Sequence, residues 1–362
     1  MFPYFLVFSL TLIFIYLSQI LAKKRVLGER LFIFIGTSLL VCLAAFRHQW
    51  VGTDTATYLW FWNDVQPLNV QGADWLYSEP LFGLLQQFTR FIADETFLGP
   101  EVFLGAISAI VCTLTLSSIM QLSKNKVLSV FVFLFLGFYL YHYNGARQAI
   151  AMAFFFYSIK YILNGNIKKY VLIVIVGFLF HKTMLITAPF YFLFRRDFTP
   201  KIVMLIIFVT IVAAFSMSSI VEFATEFDSR YKNYASSDFA GGGLIQVLFF
   251  TVIMFWLYVA KKSQRINDKL YDISLLSMLI SVCIGWLSII LSLNPSGILR
   301  LTGYFTPLMI FSLPLSVFAF PAGTIRGVVM TMLLFFSILY FYLTTTYFSG
   351  LAPYRLGIEF PF

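Results

Sequence analysis

Four arginines, Arg47, Arg147, Arg230 and Arg300, and three histidines, His48, His142 and His181, stand at the ends of apolar stretches or inside one. A guanidinium grips phosphate oxygens in a planar fork and keeps its charge at any physiological pH. Arginines that converge therefore suit a diphosphate headgroup. Imidazole titrates near neutral pH and suits proton abstraction from a hydroxyl. Two carboxylates, Asp54 and Glu79, accompany them. Each fits three roles that the residues alone do not separate: base, sugar-hydroxyl acceptor or arginine partner. Simpler explanations compete throughout. Any arginine can pair with Asp54, Glu79 or Asp228, or snorkel to an interface. His48 and His142 read most simply as interfacial polar residues, and His181 has the alternative of satisfying a buried carbonyl. The densest cluster, FRHQWVGTDTATY (46–58), directly follows an apolar stretch.

Those groups must be held by a very apolar chain. Of 362 residues, 60% are hydrophobic and only 11% charged, with a mean hydropathy of +0.87. Soluble domains carry roughly 25% charged residues, so the fold class is an all-α polytopic membrane protein. Apolar spans are expected at 2–21, 30–46, 102–122, 127–143, 147–163, 201–222, 244–260, 271–293, 302–320 and 327–347, each near the roughly 20 residues that cross a bilayer. The first span runs into Lys23, Lys24 and Arg25 with no basic segment before it, and reads as a retained helix rather than a cleavable signal. Cys42, Cys112 and Cys283 all fall inside spans and are odd in number, which argues against both a disulfide frame and a thiolate metal cluster. The net charge of +9 sits in short loops between apolar stretches, so it reflects the positive-inside bias rather than nucleic-acid binding.

The same bias sets an expected topology. The 22–30 loop is basic and should be cytoplasmic, which carries Arg47 and the 141–147 loop to the outer side. The stretch 170–194 then decides the second half. A single crossing would place Arg195, Arg196, Lys201 and the basic 261–269 loop outside and the acidic 222–239 segment inside. A stretch that enters and returns restores the bias. This predicts ten full spans plus a re-entrant hairpin, with His181 and Lys182 at its tip. Arms of about eleven residues reach only roughly 17 Å at 1.5 Å per residue, about mid-membrane. Broken backbone at that depth requires burial in protein or a water-filled cavity, and a titratable group there reads as functional. Arg147 follows Asn144-Gly145 and Arg300 follows Asn294-Pro295-Ser296-Gly297, so both are expected in the first turn of a helix. A helix N-terminus adds its own attraction for phosphate.

The whole chain, 1–362, reads as one integral-membrane domain without repeats. Residues 47–101 form a large extracytoplasmic loop whose acids lie beside Trp50, Trp60, Trp62 and Trp75, and 81–92 shows helical apolar spacing suited to lying on the membrane. The tryptophans fit an aromatic belt as well as sugar stacking. No HExxH, GxSxG, Walker or metal-ligand spacing occurs, so neither a metal nor another cofactor is expected.

The run Arg47 to Tyr58 with Gly52-Thr53-Asp54, then Glu79-Pro80, Asn144-Gly145-Ala146-Arg147-Gln148, Phe180-His181-Lys182-Thr183 and Arg300-Leu301 with Tyr304-Phe305 resembles the EpsG family. These are exopolysaccharide and O-antigen polymerases of the Wzy type. The resemblance runs in order over most of the chain. It implies a GT-C-like glycosyltransferase in the bacterial cytoplasmic membrane, working at its outer face and without a metal. Such an enzyme would move a growing glycan from undecaprenyl diphosphate onto the next lipid-linked repeat unit. By the resemblance Arg47, Asp54, Glu79, Arg147, His181 and Arg300 match the family's recurrent polar positions; the candidate catalytic residues are His181, Asp54 and Glu79, and the candidate substrate contacts are Arg47, Arg147, Arg230, Arg300, Tyr58 and Tyr304. Arg230, in a variable loop, matches less distinctly. Implied partners are the lipid-linked oligosaccharide, membrane lipid and a chain-length regulator of the Wzz type.

On this reading Arg147 and Arg300 hold the diphosphate and His181 acts as general base. A flippase for the same lipid-linked sugar is the rival, although transporters often show repeated halves that this chain lacks. A membrane acyltransferase fits less well, because the arginines suit a diphosphate leaving group better than a thioester.

Overall fold

The computed structural model describes residues 1–24, 28–63, 79–96, 99–217, 222, 226, 243–293 and 297–357. Arg230, Asp228, Trp75 and the break Asn294 to Ser296 lie outside these residues. The described chain is helical throughout, with no strand and one isolated bridge between Arg47 and Leu356. Helices named here are α1 (Phe2–Lys24), α2 (Glu29–Ala45), α3 (Thr55–Asn63), α4 (Pro80–Asp94), α5 (Glu101–Leu122), α6 (Lys126–Phe135), α7 (Ala146–Leu163), α8 (Ile167–Phe180), α9 (Pro200–Phe215), α10 (Leu244–Ser263), α11 (Lys269–Ile290), α12 (Met309–Phe318) and α13 (Thr324–Leu343).

Among the described residues six segments are long and apolar enough to cross a membrane: α1, α5, α10, α11, Ile298–Phe318 and Thr324–Phe348. The protein is an all-α membrane protein. Every expected span contains a helix, yet four fall short of that group for visible reasons. Arg147, Gln148 and Lys160 lower the hydropathy of α7. The helix α2 has 17 residues and α9 has 16. The apolar run 127–143 is not one helix: α6 stops at Phe135, and Gly137 takes a left-handed φ of 78° before a short turn at Tyr141–Asn144. Only glycine adopts that conformation at little cost.

The chain forms two compact units. The first comprises 1–161, 166–188 and 327–362. Within it α2 packs on α1 and α5 where small residues let the backbones approach. Thr11 donates to the Gly36 carbonyl at 3.3 Å, and a Cβ on Gly105 would stand 3.3 Å from that of Ala45. A continuous core then joins α3, α4, α5, α7 and α8 through Tyr58, Trp62, Phe82, Phe103, Ile107, Ala149, Ile150 and Phe180. This core fixes the ends of α4, α7 and α8 relative to one another. The helix α4 buries Phe82, Gln86, Thr89 and Ala93 and leaves the opposite stripe of Leu84, Phe88 and Phe91 exposed.

The stretch 170–194 is broken in the expected place. The helix α8 ends at Phe180, His181 takes an extended φ of −159°, and a 3-10 turn follows over Lys182–Thr187. The chain folds back here, because the Tyr170 hydroxyl donates to the Thr187 carbonyl at 2.7 Å and Met184 packs against Gly177. Seventeen residues of continuous helix would separate such partners by roughly 25 Å.

The second unit comprises 162–165 and 189–326. Its centre is α11, in which 72% of the residues of the most apolar stretch are buried, as expected of a helix enclosed by others. Ser274 and Ser277 donate to the carbonyls of Leu308 and Phe305 in the segmented helix 298–318. Lys269 ties down the end of the 190–194 helix through the carbonyls of Arg195 and Arg196 and the Asp197 carboxylate, at 2.8–2.9 Å.

Candidate functional site

Three helix ends meet in the first unit. Glu79 is the residue before α4, with Pro80 at the first helical position, where its missing N–H costs nothing. Arg147 lies in the first turn of α7, and His181 directly follows α8. The Glu79 carboxylate is 1% exposed and uses both oxygens. Oε2 accepts from Arg147 Nη1 and Oε1 lies against His181 Nδ1, each at 2.5 Å. The Arg147 and His181 side chains remain 27% and 18% exposed above it. A buried carboxylate thus supports two partly accessible groups from beneath.

Helix fields help to explain the arrangement. A carboxylate is favoured at the N-terminus of α4, and positive charge on His181 is favoured past the C-terminus of α8. Arg147 at the N-terminus of α7 is disfavoured by that helix, so its charge needs Glu79 or another anion.

The elbow from which Arg147 springs is clamped by the 46–58 segment. Ala146 N–H donates to the Tyr58 hydroxyl at 3.0 Å, so a phenol takes one of the unsatisfied donors of α7. Asn144 Oδ1 accepts from Thr53 N at 2.9 Å, its Nδ2 donates to the Ser349 carbonyl at 2.8 Å, and the Thr55 hydroxyl lies 3.3 Å from the Tyr143 carbonyl. Gly52 makes the approach possible. Its φ is 97°, and a Cβ there would stand 2.7 Å from Asn144 Oδ1.

Arg47 takes a different position from the triad. It is 2% exposed, donates to the Ala44 carbonyl at 2.7 Å and to Thr55 Oγ1 at 3.1 Å, and lies 4.1 Å from the centre of the Tyr143 ring. Its Nη2 has no partner. Burial pushes its pKa down, but a guanidinium stays charged in proteins. The lid over it is the C-terminal segment: His48 N donates to the Arg355 carbonyl, Gly357 N to the Phe46 carbonyl and Gly52 N to the Gly350 carbonyl, at 2.8–2.9 Å. Sequence reasoning missed this segment. Its one signal is the pair Gly350 and Gly357, since a Cβ at 357 would meet the Arg47 carbonyl oxygen at 2.8 Å.

Asp54 precedes α3, where its carbonyl accepts from Tyr58 N and its carboxylate from the Thr53 hydroxyl. His142 is fully buried with Nδ1 2.5 Å from the Tyr139 carbonyl, and His48 Nδ1 accepts from Trp50 N. Arg300 and Tyr304 belong to the second unit. Arg300 sits half-buried in a 3-10 turn, Ile298–Leu301, rather than in an α-helix, and Tyr304 is buried. Among the described residues no three His, Cys, Asp or Glu side chains gather as metal ligands would.

A model of the EpsG family matches residues 30–356. No curated protein and no solved structure matches the chain.

Proposed function

The chain belongs to the EpsG family, and on that basis we propose that it is a Wzy-type polysaccharide polymerase. It transfers a growing glycan from undecaprenyl diphosphate onto the next lipid-linked repeat unit at the outer face of the cytoplasmic membrane. The proposed frame is GT-C-like, with ten spans and the 170–194 hairpin re-entering from outside. The observation that carries the reading is the meeting of Arg147, Glu79 and His181 at three helix ends.

The chemistry needs a proton acceptor, charge stabilisation on the leaving group and shelter from water. The acceptor sugar's hydroxyl gives its proton to His181 as its oxygen bonds to the donor's anomeric carbon. The bond from that carbon to the phosphate oxygen breaks, and its electron pair leaves with the diphosphate. Arg147, joined to Glu79 through one nitrogen, has guanidinium donors left for that developing charge. Arg300 and Arg230 are further diphosphate contacts in the proposal, and Asp54 and Tyr304 are sugar contacts.

The test supplies purified protein with lipid-diphosphate repeat units, with and without chelator. A ladder of longer glycans that survives chelation is the expected result. Translocation of the lipid-linked unit without elongation would replace this reading with a flippase.

A further inference from the structure

We propose that Glu79 is a positioning residue, whose carboxylate holds His181 as the Nδ1–H tautomer and so makes Nε2 the atom that takes the acceptor proton. The proposal rests on the polymerase reading for its chemistry, but the tautomer itself follows from the geometry.

Both Glu79 oxygens are engaged and the residue is 1% exposed, so it cannot reach a sugar hydroxyl as a base in its own right. An ionised carboxylate only accepts hydrogen bonds. The imidazole nitrogen facing it at 2.5 Å must therefore carry a hydrogen. In the neutral ring the lone pair is therefore on Nε2, and that is the form that can take a proton. Once Nε2 accepts the proton, the same carboxylate stabilises the imidazolium, and the field at the end of α8 acts in the same direction. One side chain thus sets the tautomer before the reaction and the charge after it. Among the described residues no other carboxylate pairs with His181, and Asp54 is bonded to Thr53 at the start of α3.

Glu79→Gln separates this role from simple packing. The amide keeps the shape, but with its oxygen on Arg147 it presents an NH2 group to Nδ1. The ring must then carry its hydrogen on Nε2, where the base is needed. The chain has only three histidines, so ¹⁵N-histidine spectra of the full-length protein in detergent are assignable with His181→Gln and His48→Gln variants.

Wild type is expected to show a protonated Nδ1 and an unprotonated Nε2 at His181, and Glu79→Gln the reverse. Elongation should fall about 100-fold or more, with little change in KM for the lipid-linked donor. Glu79→Asp, which keeps the acceptor, should keep the wild-type tautomer and recover part of the rate. It also serves should the glutamine variant fail to fold, because a reversed tautomer in the aspartate variant would equally refute the proposal. A wild-type His181 protonated on Nε2, or a tautomer and rate indifferent to Glu79→Gln, would overturn it. A tautomer that switches as expected in a protein that builds no ladder would sink the polymerase reading and leave the Glu79–His181 pairing standing.

Discussion

Arg47 and Arg147 each stand at a helix end in the same unit, yet their surroundings are opposite. Arg147 has a carboxylate beneath it and remains 27% exposed. Arg47 is closed off, with a carbonyl, a hydroxyl and a tyrosine ring around it and one nitrogen left without a partner. Burying a charge is costly unless it is paired; Arg147, paired and partly open, suits the proposed anionic ligand, whereas the contacts of Arg47 fasten the chain. The 46–58 segment that Arg47 holds in turn clamps the elbow at 143–146, so Arg47 bears on the reaction through Arg147.

The comparison breaks most visibly at Arg147→Ala. Loss of a guanidinium that meets developing charge should lower elongation per folded molecule about 100- to 1000-fold, over and above any stability lost as the buried Glu79 carboxylate gives up that partner. A variant that elongates normally would remove Arg147 from the chemistry. Arg47→Ala should do the reverse. The stranded Ala44 carbonyl and the cavity should cost roughly 2–4 kcal/mol in unfolding, while activity per folded molecule falls only several-fold as the clamp on Arg147 loosens. Full stability with no activity would return Arg47 to the ligand-binding set. Gly52→Ala, forced to hold a φ of 97° against Asn144, should lose about 1–3 kcal/mol, read by limited proteolysis of the 46–58 segment. The smallest effect is expected for Tyr58→Phe. It removes the acceptor of Ala146 N–H, and a loss of about 1 kcal/mol should come with a several-fold fall in rate as Arg147 loosens.

Much of the frame was legible because apolar length is written directly in the sequence. The break at His181 was legible too, since charge bias required the 170–194 stretch to return. The run 127–143 misled because its residues are apolar on both sides of Gly137, and hydropathy does not register a left-handed turn. In the site, Glu79, Arg147 and His181 each stood out as polar groups at helix ends. Their convergence did not, because Glu79 is 68 residues from Arg147 and 102 from His181, and only the α3–α4–α5–α7–α8 core brings the three ends together. The enclosure of Arg47 was the least legible. A polar cluster after an apolar stretch looks interfacial, and the segment that covers it lies at the far end of the chain.

That distance gives the closure a place in time. Tyr354 lies 311 residues beyond Leu43, whose carbonyl it holds, and the backbone ties to Phe46, His48 and Gly52 come from residues 350–357. Synthesis proceeds from the N-terminus, so α2 emerges from the ribosome long before anything exists to cover the cation behind it. A chain stalled or clipped ahead of Ser349 lacks the carbonyls to which His48 N and Gly52 N donate, so those backbone donors stand open where the finished protein is sealed. Incomplete copies thereby differ from the finished chain at their opposite end.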